Sequence, residues 1–220
     1  STAADNGISF DTSSQSGTPW DISFNSNGTK AVVLSNNASV QVLYQYSLST
    51  AYNISTASYD SVSFDTSSQD VTPTGGRFNN DGTKFFWMGH GTQAVYEYNL
   101  STAFDLSTIS YSGTSLDVSG QVSFLPSIFF NTGGTKMYLG DGSSAIIYQY
   151  DLSTPYNLST AQYSSVSFNV SSQEGSPYGL VFSSDGTKMY IGGHETSIFQ
   201  YSTALITAQL DLSTGSVFDY

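Results

Sequence analysis

His90 and His194 are the only two imidazoles in this chain of 220 residues. With Trp20 and Tyr178 they are the side chains best suited to hold a ligand. An aromatic face covers the apolar face of a sugar, and an imidazole offers hydrogen bonds to its hydroxyls. Two histidines supply half of a tetrahedral metal set, and no carboxylate is fixed beside them, so no metal is expected. Nucleophilic catalysis finds no support, because the chain has no cysteine and no G-x-S-x-G elbow. Paired carboxylates could cleave a glycoside, but Glu97, Glu174 and Glu195 are the only glutamates and none recurs in a special context. No Asp-x-Asp-x-Asp-Gly loop marks a calcium site. The residues therefore point to binding without a catalytic residue or cofactor.

The net charge of −12 restricts the partners. Nucleic acids and anionic membranes recruit clustered Lys and Arg, and this chain has five such residues in all. Neither partner is expected. No apolar run approaches the ~18 residues that span a bilayer. Aromatic residues make up 15% of the chain against 10% charged. Together with abundant Ser, Thr, Asn and Gly, this mix marks an all-β protein and excludes disorder.

Repetition is what would position the candidate residues. All four lysines follow Gly-Thr, at Lys30, Lys84, Lys136 and Lys188, so the spacings are 54, 52 and 52 residues. An aromatic-x-Tyr marker follows each one: Tyr44-Gln-Tyr46, Tyr96-Glu-Tyr98, Tyr148-Gln-Tyr150 and Phe199-Gln-Tyr201. A third marker reads ISFDTSSQ (8–15), VSFDTSSQ (62–69) and VSFNVSSQ (166–173), with SLDVSGQ (115–121) as a degraded copy. Each unit divides into four short strands of alternating polarity. Asn-Gly or Asp-Gly before Thr-Lys is a hairpin signal, since Gly accepts the positive φ a tight turn needs. The lysine opens the next strand, where it can shield the hairpin end and reach a neighbouring carboxylate.

A four-stranded unit repeated every 52 residues or so is the mark of a β-propeller blade. Four units give a four-bladed β-propeller over residues 1–201, with 202–220 as a β tail or the start of a further domain. The opening stretch aligns with the fourth strand of a repeat, and the last repeat stops after its third. Residues 7–12 are thus expected to pair with 197–201 and close the ring. Alignment on the lysines places Trp20, Thr74, Pro126 and Tyr178 in one rim position and Asn36, His90, Gly142 and His194 in another. His90 and His194 then face each other from alternate blades. Trp87 is expected in the core. Gln15, Gln69, Gln121 and Gln173 are expected to tie the inter-blade loops to backbone.

The stretch SPYGLVFSSDGTKMY (176–190) resembles the YVTN/lactonase-type propeller repeats. YQYDLST and SVSFNVSSQ are similar to propeller repeats of aquatic bacteria and their phages, and LDLSTGSVFDY resembles a segment of phage tail and fibre proteins. The resemblance implies the fold and carries over no catalytic residue. The expectation is a non-enzymatic recognition, adhesion or structural module, virion-associated or secreted, whose partner is a cell-surface glycan or protein. A lactonase- or glycosidase-like enzyme is the first alternative. The second is a fibre subunit assembling through the 202–220 tail.

Overall fold

Asn25, Asn79 and Asn131 end the innermost strand of three successive repeats, each in the same way. The side-chain Oδ1 accepts the backbone N–H of Lys30, Lys84 and Lys136, at 2.9, 2.9 and 3.0 Å. Ser183 takes that part for Lys188 at 3.0 Å. Each turn contains a glycine at positive φ, Gly28, Gly82, Gly134 or Gly186. At Gly82 an added Cβ would also lie 2.3 Å from the ring of Phe104. Two constraints, backbone and packing, thus demand glycine there. Beyond the turn, Lys84 pairs with Glu97, and Lys136 with Asp151 at 2.9 Å. The Gly-Thr-Lys triplet is therefore a turn, with an ion pair attached in the second and third repeats.

The computed structural model describes residues 5–37, 40–124 and 126–203. Blade one comprises β1 (Pro19–Phe24), β2 (Lys30–Asn37), β3 (Val40–Leu48) and β4 (Ala57–Asp65). Blade two comprises β5 (Pro73–Phe78), β6 (Lys84–Gly89), β7 (Ala94–Leu100) and β8 (Ile109–Asp117). Blade three is β9 (Ser127–Phe130), β10 (Lys136–Asp141), β11 (Ile146–Leu152) and β12 (Ala161–Asn169). Blade four is β13 (Pro177–Phe182), β14 (Lys188–Gly193) and β15 (Phe199–Ser202). Every pairing is antiparallel and sequential, from the inner strand outward. The chain is all-β, a four-bladed β-propeller. Among the described residues no helix is long and apolar enough to cross a membrane.

Neighbouring blades meet face to face through apolar layers. Val32 and Leu34 of blade one meet Phe85 and Trp87 of blade two. Phe86 and Met88 meet Ile128 and Phe130 of blade three, and Tyr138 and Ile147 meet Leu180 and Met189 of blade four. Trp87, fully buried, stacks on Tyr96 at 4.9 Å, as a core residue should. Burying such side chains stabilises by about 1.5–3 kcal/mol each.

A tyrosine hydroxyl ties each of the three junctions between successive blades, and a fourth of the same kind ties the opening segment to blade one. The last Tyr of each aromatic-x-Tyr marker donates to the glutamine that closes the preceding stretch of chain. These pairs are Tyr46 with Gln15, Tyr98 with Gln69, Tyr150 with Gln121 and Tyr201 with Gln173. The glutamines thus bond side chain to side chain, in place of the expected backbone partner. Burial pushes the Tyr46 and Tyr98 phenols up to about 12, so they stay protonated donors well into alkali.

One expectation is corrected. Residues 7–12 form no strand, and among the described residues the sheet of blade four has three strands, ending at β15. The opening segment docks on blade one instead. Phe10 meets Tyr46 edge-on at 5.1 Å, as Phe64 meets Tyr98 at 5.4 Å and Phe168 meets Tyr201 at 5.3 Å. Its strand-four sequence is thus read by the following blade through side chains, without the ladder to the preceding one. The β tail expected after residue 203 lies outside the described residues.

Candidate functional site

The inner strands β1, β5, β9 and β13 run side by side, so their first residues share one end. Trp20, Thr74, Pro126 and Tyr178 line one small hollow there, of about 130 Å³. Trp20 remains half-exposed. Strand register brings these four together: Trp20, Thr74 and Tyr178 sit second in their inner strands, and Pro126 immediately precedes β9.

His90 and His194 follow the second strands β6 and β14. They are joined by a file of rings along the same rim. His90 meets Phe124 at 4.8 Å, Phe124 meets Tyr178 at 5.5 Å, and Tyr178 stacks on His194 at 4.8 Å. His90 Nδ1 is buried without a hydrogen-bond partner, while His194 is exposed. The expected rim residues Tyr178, His90 and His194 are thus connected through Phe124, which the alignment missed. Its counterparts are Thr18, Thr72 and Ser176, so it is a substitution peculiar to the third repeat. Gly142, aligned with the histidines, makes room for it: an added Cβ there would lie 2.6 Å from the Phe124 ring.

Buried acids hold these loops. Asp70 Oδ2 accepts the Thr92 N–H at 2.6 Å and Oδ1 accepts the Thr72 N–H at 2.6 Å. Glu174 accepts the N–H groups of His194 at 3.2 Å and Glu195 at 3.1 Å. Each acid faces a glycine, Gly89 or Gly193, where an added Cβ would lie 2.4 Å from Asp70 or 2.6 Å from Glu174. Blade three exchanges the two positions. Val122 stands where Asp70 and Glu174 stand, and Asp141 replaces the glycine, accepting the N–H groups of Phe124 at 3.1 Å and Ser143 at 3.0 Å. Burial opposes ionisation of Asp70 and Asp141, but the donors outweigh it and hold both carboxyls below the usual carboxylate range. In blade one both positions are serine, Ser16 and Ser35, with hydroxyls buried and unpartnered. The carboxylates of Asp70, Asp141 and Glu174 are thus engaged in holding the loops. Among the described residues no three His, Asp or Glu side chains cluster to hold a metal.

Beneath the rim lie two charged residues that periodicity did not flag. Asp21 Oδ2 accepts the Gly76 N–H at 2.9 Å, linking blade one to blade two. Arg77, the only arginine, donates from Nε to the Ile128 carbonyl at 3.1 Å and lies over the Phe129 ring at 5.5 Å. Burial raises the Asp21 carboxyl above its ordinary range, against the Gly76 N–H and the nearby Arg77 charge.

No known family model matches this chain, and no curated protein does. Solved structures do. A protein of unknown function from Desulfotomaculum acetoxidans superposes with a TM-score of 0.60 at 14% identity, over 91% of this chain and 58% of that one. A candidate 6-phosphogluconolactonase from Bacteroides uniformis gives 0.58 at 14% identity, over 84% and 53%. The β-propeller domain of Cps50 (Swd1) from Myceliophteria thermophila gives 0.52 at 9% identity, over 83% and 51%. At these identities the likeness defines the fold, a β-propeller. The chain spans between about half and three fifths of each of these proteins.

Proposed function

We propose that this propeller is a non-catalytic recognition module whose rim binds a neutral sugar of an extracellular glycan. The observation that carries this reading is the file of rings from His90 through Phe124 and Tyr178 to His194, beside the half-exposed Trp20. Ring faces at one edge match the C–H face of a pyranose, and the exposed His194 supplies a hydrogen bond to its hydroxyls. The loops carrying the rings are fixed by buried acids before any ligand arrives, which lowers the ordering cost of binding. The engagement of those acids favours binding over turnover.

A glycan-array screen followed by titration calorimetry tests it. At least one neutral glycan should bind, and Trp20→Ala and Tyr178→Ala should each weaken it by about tenfold or more, the effect of losing an anchoring ring. Absence of glycan binding, or binding unchanged in both variants, overturns the proposal. Turnover of a lactone panel abolished by Asp21→Asn would favour the enzyme alternative.

A further inference from the structure

The other ends of the inner strands enclose a larger space. A cavity of about 520 Å³ opens at the turn end of the propeller, ringed by Phe24, Phe78, Phe130 and Phe182, the last residues of β1, β5, β9 and β13. Arg77 lines both this cavity and the small hollow under the rim, so it stands between them. We propose that this cup binds a small monocarboxylate with a planar apolar body, its carboxylate taken by Arg77.

Nε of Arg77 is used by Ile128, and among the described residues no protein group accepts from the two terminal nitrogens. No carboxylate there stands within ion-pair distance of Arg77. Asp21 holds the Gly76 and Ile22 N–H groups instead. Burial lowers the Arg77 pKa against the nearby Asp21 charge, so this buried cation is only partly compensated. A bound carboxylate would accept two parallel N–H bonds from the planar fork.

Charge count fixes the ligand's valence. Arg77 is the one cation among the residues that line the cup. In a chain of net charge −12, a dianion would meet repulsion that a single arginine does not offset. The wall fixes the body. Six phenylalanines line the cup, Phe24, Phe78, Phe104, Phe129, Phe130 and Phe182. Those ring faces favour a planar apolar body. The volume lies within the roughly 300–1,000 Å³ range of small-ligand pockets.

Titration calorimetry of the intact chain with phenylacetate, phenylacetamide and glucuronate tests this. Phenylacetate should bind with a Kd of about 1 mM or tighter, and its uncharged amide about tenfold more weakly. Glucuronate should bind more weakly than phenylacetate. Arg77→Met should abolish phenylacetate binding, and Arg77→Lys, which keeps the charge without the fork, should weaken it by about threefold or more. No saturable heat up to about 10 mM phenylacetate, equal affinity for the amide, tighter binding of glucuronate, or an unchanged Arg77→Met would each overturn the proposal. Should Arg77→Met fail to fold, the acid–amide pair on the native chain and Arg77→Lys still decide it.

Discussion

Three junctions between blades differ from the fourth. From blade one to blade four, each inner strand lies against the next: β1 on β5, β5 on β9, and β9 on β13. An apolar layer fills each of those junctions. Between blade four and blade one, β13 and β1 make no comparable contact, and no apolar cluster of described residues joins them. Trp20 and Ile22 of β1 are 50% and 48% exposed, and Val181 of β13 is 44% exposed. An apolar hollow of about 330 Å³ lies on that side of blade one, between Phe10 and Trp20. The repeat therefore specifies a blade and its seat on the next blade. Sealing a circle is a separate matter that needs both faces covered and the last sheet edge paired.

The comparison is broken most directly by truncating matched side chains. Phe86 is fully buried between blades two and three, 4.6 Å from Phe130. Phe86→Ala should cost about 3–5 kcal/mol, from lost transfer energy and the cavity left behind. Ile22→Ala should stay within about 0.5 kcal/mol, because half of that side chain is already in water. Urea unfolding measures both. An Ile22→Ala cost approaching that of Phe86→Ala would mean the open face is buried in solution.

The hydroxyl ties sharpen it at a smaller scale. Tyr98 is buried and its bond to Gln69 is tight, whereas the Tyr46 bond to Gln15 is stretched to 3.4 Å. Tyr98→Phe strands the Gln69 carbonyl and should cost about 1 kcal/mol, while Tyr46→Phe should cost a few tenths. Equal losses in urea titrations would show that the opening segment seats as firmly as an internal repeat.

Much of this was legible in the sequence because the informative signals are local. The Gly-Thr-Lys turns and the Tyr-x-Tyr markers each act within one hairpin, so blades and strand order follow from them. Register then delivered the shared rim position of Trp20, Thr74, Pro126 and Tyr178. Three things were hidden, for different physical reasons. ISFDTSSQ carries strand-four chemistry, but the edge a strand joins is a long-range outcome that its own residues do not encode. Asp21, Arg77 and Phe124 occur once each, and a reading built on periodicity passes over singular residues. The exchange of Asp141 with the Asp70 and Glu174 position was visible as Val122 at an acidic site, but it has meaning only once the two positions are known to touch.

The smallest expected effect is on pH, where two kinds of buried carboxyl should behave oppositely. Asp70 and Asp141 ionise more readily folded than unfolded, so their contribution is present above the ordinary carboxylate pKa of about 3.9. It is lost as pH falls through their lower folded values. Asp21, raised by burial, works the other way: between about 3.9 and its folded pKa the native state holds a proton that the unfolded state has released. Stability falls with rising pH across that window, and the deficit persists at neutrality. Asp21→Asn keeps an oxygen for the Gly76 N–H and removes the buried charge. Its melting temperature should match the parent near pH 3 and exceed it by about 1–3 °C at pH 7, whereas Asp70→Asn should match near pH 2 and fall below it at pH 7. Melting curves at both ends of the range check this. A lower Asp21→Asn melting temperature at pH 7 would show that the Asp21 charge, held by Arg77 and the Gly76 N–H, stabilises the junction of blades one and two.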